Sequence, residues 1–168
     1  MEISVLMSVY IKERPEFLER ALESIFNQTL KPKEFVLVKD GTLTRELEMI
    51  LHKERKKFEE NNIAFICVQL ENNMGLGIAL QKGLEKCRSD YVARMDSDDY
   101  SLETRFEKQL AAFEKNPNLI MVGSNILEKN TEFTALKKVP ETTVEIRQYS
   151  KMRNPFNNPS SMMKKEYI

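Results

Sequence analysis

The chain has 168 residues, 26 basic against 26 acidic side chains, 41% hydrophobic and 31% charged residues. That length and balance fit a single domain over residues 1–168. They exclude disorder driven by excess charge and an electrostatic hold on a nucleic-acid backbone, so nucleic acid is not an expected partner and an anionic substrate must be held by local chemistry.

Residues 3–10, Ile-Ser-Val-Leu-Met-Ser-Val-Tyr, are almost continuously apolar and rich in β-branched types, as a strand covered on both faces is. After Pro15, the spacing of Leu18, Ala21, Leu22 and Ile25 marks one apolar helical face. The alternation continues with a strand at 34–39, a helix carrying Leu47, Ile50, Leu51 and Phe58, and a strand at 63–70. A helix carrying Leu76, Ala79, Leu80, Gly83, Leu84 and Cys87, a strand at 91–95, and a helix carrying Leu102, Phe106 and Phe113 follow. Four such alternations predict a Rossmann-like α/β fold, a mostly parallel sheet flanked by helices, with ligands in the crevice beyond the C-terminal strand ends. After residue 119 the pattern changes. Two longer strands joined by a turn around Asn130, a short helix at 143–152 and a strand from Ser160 predict a small antiparallel appendage.

Cys67 and Cys87 read as buried free thiols on a strand and a helix stripe. The single histidine, His52, falls within the charged second helix and reads as a surface residue. The N-terminal stretch lacks the basic start and cleavage site of a signal peptide, and no apolar run reaches the roughly 18 residues that span a bilayer. A cytoplasmic location is expected, with contact at the inner face of a membrane compatible.

The segment Tyr91-Val-Ala-Arg-Met-Asp-Ser-Asp-Asp99 delivers three carboxylates at the C-terminal end of an apolar strand. In extended backbone, residues two apart share a side, so Asp96 and Asp98 are expected to converge on one hard cation while Ser97 points away. Two carboxylates do not close a Mg2+ or Mn2+ shell, and a diphosphate is the expected third party. The plainer reading is a solvated loop in which Asp99 or Ser101 caps the next helix, with Glu103 in its first turn. An EF-hand fails because Ser101 stands where glycine is needed and a strand precedes the loop. Asp40-Gly41, at the end of another strand, offers an acceptor at the same edge, although the pair is also a common turn. Asn72-Asn-Met-Gly-Leu-Gly77 is shaped for a helix start, with Asn73 expected to tie the turn; Leu80 at the third glycine position argues against a dinucleotide fingerprint.

Taken in order, several stretches resemble family 2 of the inverting glycosyltransferases, which have the GT-A fold. They are Ser4-Val-Leu-Met-Ser-Val-Tyr10, Ala21-Leu-Glu-Ser-Ile-Phe-Asn-Gln-Thr29, Val38-Lys-Asp-Gly41, Asn73-Met-Gly-Leu76, Ala93-Arg-Met-Asp-Ser-Asp-Asp99, Asn116-Pro117, Val122-Gly-Ser124 and Asn154-Pro-Phe-Asn-Asn-Pro-Ser160. The resemblance implies transfer of a sugar from a nucleoside diphosphate-sugar, a UDP-sugar first among them, to a hydroxyl of a saccharide or lipid-linked acceptor. It implies a donor site formed by Val9, Tyr10, Asp40, Asn73, Gly75, Arg94, Asp96 and Ser97. In it Asp40 accepts from the base, Asp96 faces the ribose, and Asp98, with Asp96, holds Mn2+ or Mg2+. The family's catalytic base normally lies in a Glu-Asp pair downstream of the segment matched by 154–160, so it is expected beyond Ile168 and a chain ending there is expected to bind donor with little turnover. Lys39, Ile11 and Asn158 depart from the family's frequent residues. The rival readings are a sugar-nucleotidyltransferase, for which 10–15 offers no glycine-rich loop, and a non-catalytic nucleotide-binding or interaction module.

Overall fold

The computed structural model describes residues 1–129 and 133–168. Four strands, β1 (Ile3–Val9), β2 (Glu34–Lys39), β3 (Ala64–Gln69) and β4 (Tyr91–Asp96), pair in parallel in the order β3-β2-β1-β4. They are joined by helices α1 (Pro15–Phe26), α2 (Arg45–Glu60) and α3 (Leu76–Leu84), and α4 (Arg105–Lys115) follows β4. The central strands β1 and β2 are buried on both faces, which is why their sequences lack the alternation of a half-exposed strand.

One face of the sheet, with Val5, Met7, Val9, Phe35, Leu37, Ala93 and Met95, joins Leu18, Leu22, Leu47, Phe58 and Phe106 of the helices in the main core. The opposite face, with Leu6, Val36, Val38 and Val92, packs with Ala79 of α3. That helix comes so close at Gly83 that an added Cβ would lie 2.4 Å from Leu6 Cδ1 and 2.6 Å from Val38 Cγ2. Helix α3 ends at Leu84, so Cys87 lies in the turn that follows it, still buried at 1% exposure. Burial, and then the nearby Glu34 carboxylate, push its thiol up to about 12. Cys67, expected to be buried, is exposed, on β3 at the edge of the sheet. His52 is exposed on α2, as expected.

The antiparallel appendage is present in a different form. The expected long strand after 119 is two short ones, β5 (Met121–Val122) and β6 (Ile126–Lys129). β5 joins the main sheet through β8 (Met162–Lys164), which runs antiparallel between it and β4, while β6 pairs with β7 (Thr134–Lys137) in a separate two-stranded sheet. The break falls at Gly123, where a Cβ would lie 2.9 Å from the Phe156 ring. The turn at Asn130 lies outside the described residues. Helix α5 (Thr143–Tyr149) opens with a capping box between Thr142 and Glu145.

Candidate donor and metal site

The parallel strands β1, β2 and β4 end side by side, and the loops beyond them bring Tyr10, Asp40 and the acidic segment to one edge. Val9 is buried and its carbonyl accepts from the Asp40 N–H at 2.8 Å; the Tyr10 carbonyl accepts from the Glu13 N–H at 3.0 Å, and the Tyr10 side chain stands at the rim, 42% exposed.

The Asp40 carboxylate is already engaged within the chain. The residue is only 4% exposed. Oδ1 accepts from the Met74 N–H at 2.6 Å and Oδ2 from the Gly75 N–H at 3.0 Å, so both oxygens hold the loop that starts α3. Gly41 lets the two loops meet: its φ is +88°, and a Cβ there would lie 2.9 Å from the Asn73 nitrogen. Gly75, at φ +86°, precedes the first residue of α3. Asn73 is exposed and its side chain makes no hydrogen bond among the described residues, so the tie expected of it is supplied by Asp40 instead. Lys39 is paired with Glu48 of α2 at 2.8 Å.

Beyond Asp96 the chain is no longer extended. β4 ends there and the next residues turn, with the Asp99 N–H reaching the Asp96 carbonyl at 3.4 Å. The period-two argument therefore applies to Arg94 and Asp96, not to Asp96 and Asp98. Arg94 Nη2 donates to Asp96 Oδ1 at 3.1 Å, while Arg94 Nε is buried without a partner among the described residues. Ser97 is 7% exposed, and its hydroxyl donates to Glu13 in the β1–α1 loop. Asp98 is exposed, and its carboxylate makes no hydrogen bond or ion pair among the described residues; its backbone carbonyl accepts from Arg20 of α1 at 3.1 Å.

Burial, and then the neighbouring Asp98 and Asp96 carboxylates, push Asp99 up to about 6. Arg105, the first residue of α4, lies behind the turn and donates to the carbonyls of Arg94 at 2.7 Å and Ser161 at 3.1 Å; burial pushes it down to about 10 against the pull of Asp99 and Asp96. The helix-cap reading of the acidic segment fails, since α4 begins only after Thr104, leaving Leu102 72% exposed and Ser101 buried.

Sequence reasoning missed what supports this turn. Ser24 and Gln28 lie on the buried side of α1 and its end. Ser24 Oγ accepts from the Ser101 N–H at 3.0 Å. Gln28 donates to the Leu102 carbonyl at 2.8 Å and accepts from the Phe106 N–H at 3.2 Å. The available signal was two polar residues in register with the apolar stripe of Leu18, Ala21, Leu22 and Ile25, where burial requires a partner.

The site offers hard oxygen donors, with Asp96, Asp98 and Asp99 gathered on one turn, a chemistry that fits a divalent cation. No group of three side chains able to hold a metal gathers among the described residues, so carboxylates alone would leave most of the shell to water or phosphate.

Comparison with known proteins places this architecture. The sequence model of glycosyl transferase family 2 matches residues 4–164. The amylovoran biosynthesis glycosyltransferase AmsE of Erwinia amylovora is 40% identical over 166 residues, which are 98% of this chain and 60% of that protein. The UDP-Gal:alpha-D-GlcNAc-diphosphoundecaprenol beta-1,3-galactosyltransferase of Escherichia coli is 40% identical over 169 residues, 98% of this chain and 58% of that protein. The chain thus spans about three-fifths of the length of these relatives. In fold it is similar to residues 1–349 of S. aureus TarS in complex with UDP, with a TM-score of 0.71 at 20% identity, covering 98% of this chain and 47% of that one. It is likewise similar to the mannosyltransferase PcManGT of Pyrobaculum calidifontis in complex with GDP-Man and Mn2+, with a TM-score of 0.69 at 15% identity, covering 98% and 45%. With the family's sequence pattern running from β1 to β8 and the GT-A sheet beneath it, this chain belongs to glycosyl transferase family 2.

Proposed function

We propose that the protein transfers a sugar from a nucleoside diphosphate-sugar, with UDP as the nucleotide, to a hydroxyl of a saccharide or lipid-linked acceptor, with inversion at the anomeric carbon. The observation that carries the donor half is Asp98: an exposed carboxylate with no hydrogen bond or ion pair among the described residues, two positions from Asp96 at the C-terminal edge of a parallel sheet, on a turn that also carries Asp99. The complexes of TarS with UDP and of PcManGT with GDP-Man and Mn2+, and the donor named for the E. coli relative, support the same ligand class.

Mn2+ or Mg2+ bound by Asp98 and the free oxygen of Asp96 would neutralise the charge that grows on the departing diphosphate. Arg94 fixes Asp96 by holding one carboxylate oxygen, leaving the other for the cation or the ribose. Asp40 acts on the donor through the 72–75 loop that it anchors. Inversion needs a carboxylate that removes the acceptor proton, and the acidic residues after Val139, which are Glu141, Glu145 and Glu166, are exposed or partly exposed and lie outside the acidic turn. We assign that base to the portion of the relatives' length that this chain does not span. A lipid-linked acceptor would bring the enzyme to a membrane surface at the cytoplasmic face; no helix among the described residues is long and apolar enough to cross it.

Calorimetry with UDP and Mn2+ tests the reading. Binding is expected to strengthen with metal, and Asp98→Ala is expected to remove that gain while moving folding stability by no more than about 0.5 kcal/mol. Metal-independent binding, or metal-linked binding that survives Asp98→Ala, would refute the metal assignment.

A further inference from the structure

We infer that Glu13 is a positioning residue that clamps the acidic turn to the β1–α1 loop, so that the rim near Tyr10 and the metal end of the donor site are held as one unit. The inference rests on the donor site proposed above and extends it to a residue outside the acidic turn.

Glu13 uses both carboxylate oxygens. Oε1 accepts from the Arg14 N–H at 2.8 Å, and its own N–H donates to the Tyr10 carbonyl at 3.0 Å, so the residue closes the β1–α1 loop on itself. Oε2 accepts from the hydroxyl of Ser97, which is 7% exposed and sits between Asp96 and Asp98. A second strut from the same unit reaches the next residue, where Arg20 of α1 donates to the Asp98 carbonyl at 3.1 Å. The turn carries carboxylates at 96, 98 and 99, whose repulsion favours splaying it apart. A carboxylate placed on the serine of that turn adds a fourth acidic group, so its hydrogen bond has to outweigh the added repulsion. Here the bond is to a carboxylate and partly out of water, where such bonds are strong. The arrangement stiffens the turn before any cation arrives and ties its position to the loop at Tyr10.

The test uses the chain as it stands, with Glu13→Ala, Ser97→Ala, the double variant and Glu13→Gln. Hydrogen exchange without ligand should show the amides of residues 96–103 opening about tenfold faster in each alanine variant, with the double variant no worse than either single and the central strands unchanged. Glu13→Gln should restore slow exchange, because its amide can still bond the Ser97 hydroxyl. UDP titrations with and without Mn2+ should then show the factor by which metal tightens UDP falling at least about fivefold in Glu13→Ala, while metal-free UDP affinity changes by less than about twofold. Unchanged exchange in Glu13→Ala, additive losses in the double variant, or an intact metal-to-UDP factor would overturn the inference and leave the donor reading standing. A wild-type protein whose UDP binding ignores Mn2+ would overturn the donor reading and this coupling together.

Discussion

Replacing Asp40 separates two roles that the sequence leaves superimposed: reading a nucleotide base and holding a loop. The carboxylate is 4% exposed and accepts the Met74 and Gly75 N–H groups at 2.6 and 3.0 Å. A hydrogen bond to a charged group contributes about 1.5–3 kcal/mol, so two would set an upper bound of about 6 kcal/mol. Residues 72–74 are exposed, and water can solvate the amides once the carboxylate is gone. About 3–4 kcal/mol is therefore the expected loss for Asp40→Ala. At roughly 2–4 °C per kcal/mol for a domain of this size, Tm should fall by about 6–16 °C. Asp40→Asn keeps one acceptor and turns an NH2 group toward the second N–H, so it should recover less than half of the loss. Urea denaturation followed by circular dichroism gives the free energies, and UDP calorimetry below the variant's transition gives the affinity. A variant with wild-type Tm and a large loss of UDP affinity would refute the loop-anchor role and restore Asp40 to the base.

Gln28→Ala strands the buried Phe106 N–H and removes the bond to the Leu102 carbonyl, which water can replace, and should cost about 2 kcal/mol by urea denaturation, with faster exchange in 101–106. Gly41→Ala meets both a left-handed φ of +88° and the Asn73 nitrogen at 2.9 Å, and should destabilise by about 2 kcal/mol or more. Asp99 sits at about 6 when folded against 3.8 as its ordinary value, so between those limits the native state holds more protons than the unfolded one and stability falls as pH rises. Asp99→Asn should therefore gain on the wild type by about 1–2 kcal/mol more at pH 7 than at pH 4, after allowing for partial solvent screening, and an unchanged difference across pH 4–7 in the absence of metal would contradict that environment.

The sequence by itself determined the alternation of strands and helices through Phe113, because long apolar runs and three- to four-residue spacing record burial directly. β1 and β2 are covered on both faces by packed helices and read that way in one dimension. The order of the family-like stretches, from Ser4 to Ser160, was likewise enough to reach the family that the sequence model matches. Elements held by few local signals were less legible. The strand after Leu119 divides because Gly123 passes the Phe156 ring, and Cys67 is exposed on β3 at the sheet edge, a position that periodicity does not encode.

The candidate site shows the same limit more sharply. Its acidic residues were visible as a composition at the end of a strand, yet their orientation was not, since the chain turns after Asp96 and ends the two-residue alternation. What only the tertiary structure decided is which groups are already engaged: Asp40 by the amides at 74 and 75, Asp96 by Arg94, Ser97 by Glu13, and Asp98, among the described residues, through its carbonyl and not its carboxylate. Those partners lie 2 to 84 positions away along the chain. Hydrogen bonds depend on distances in space, and residue spacing fixes those distances only within one regular element.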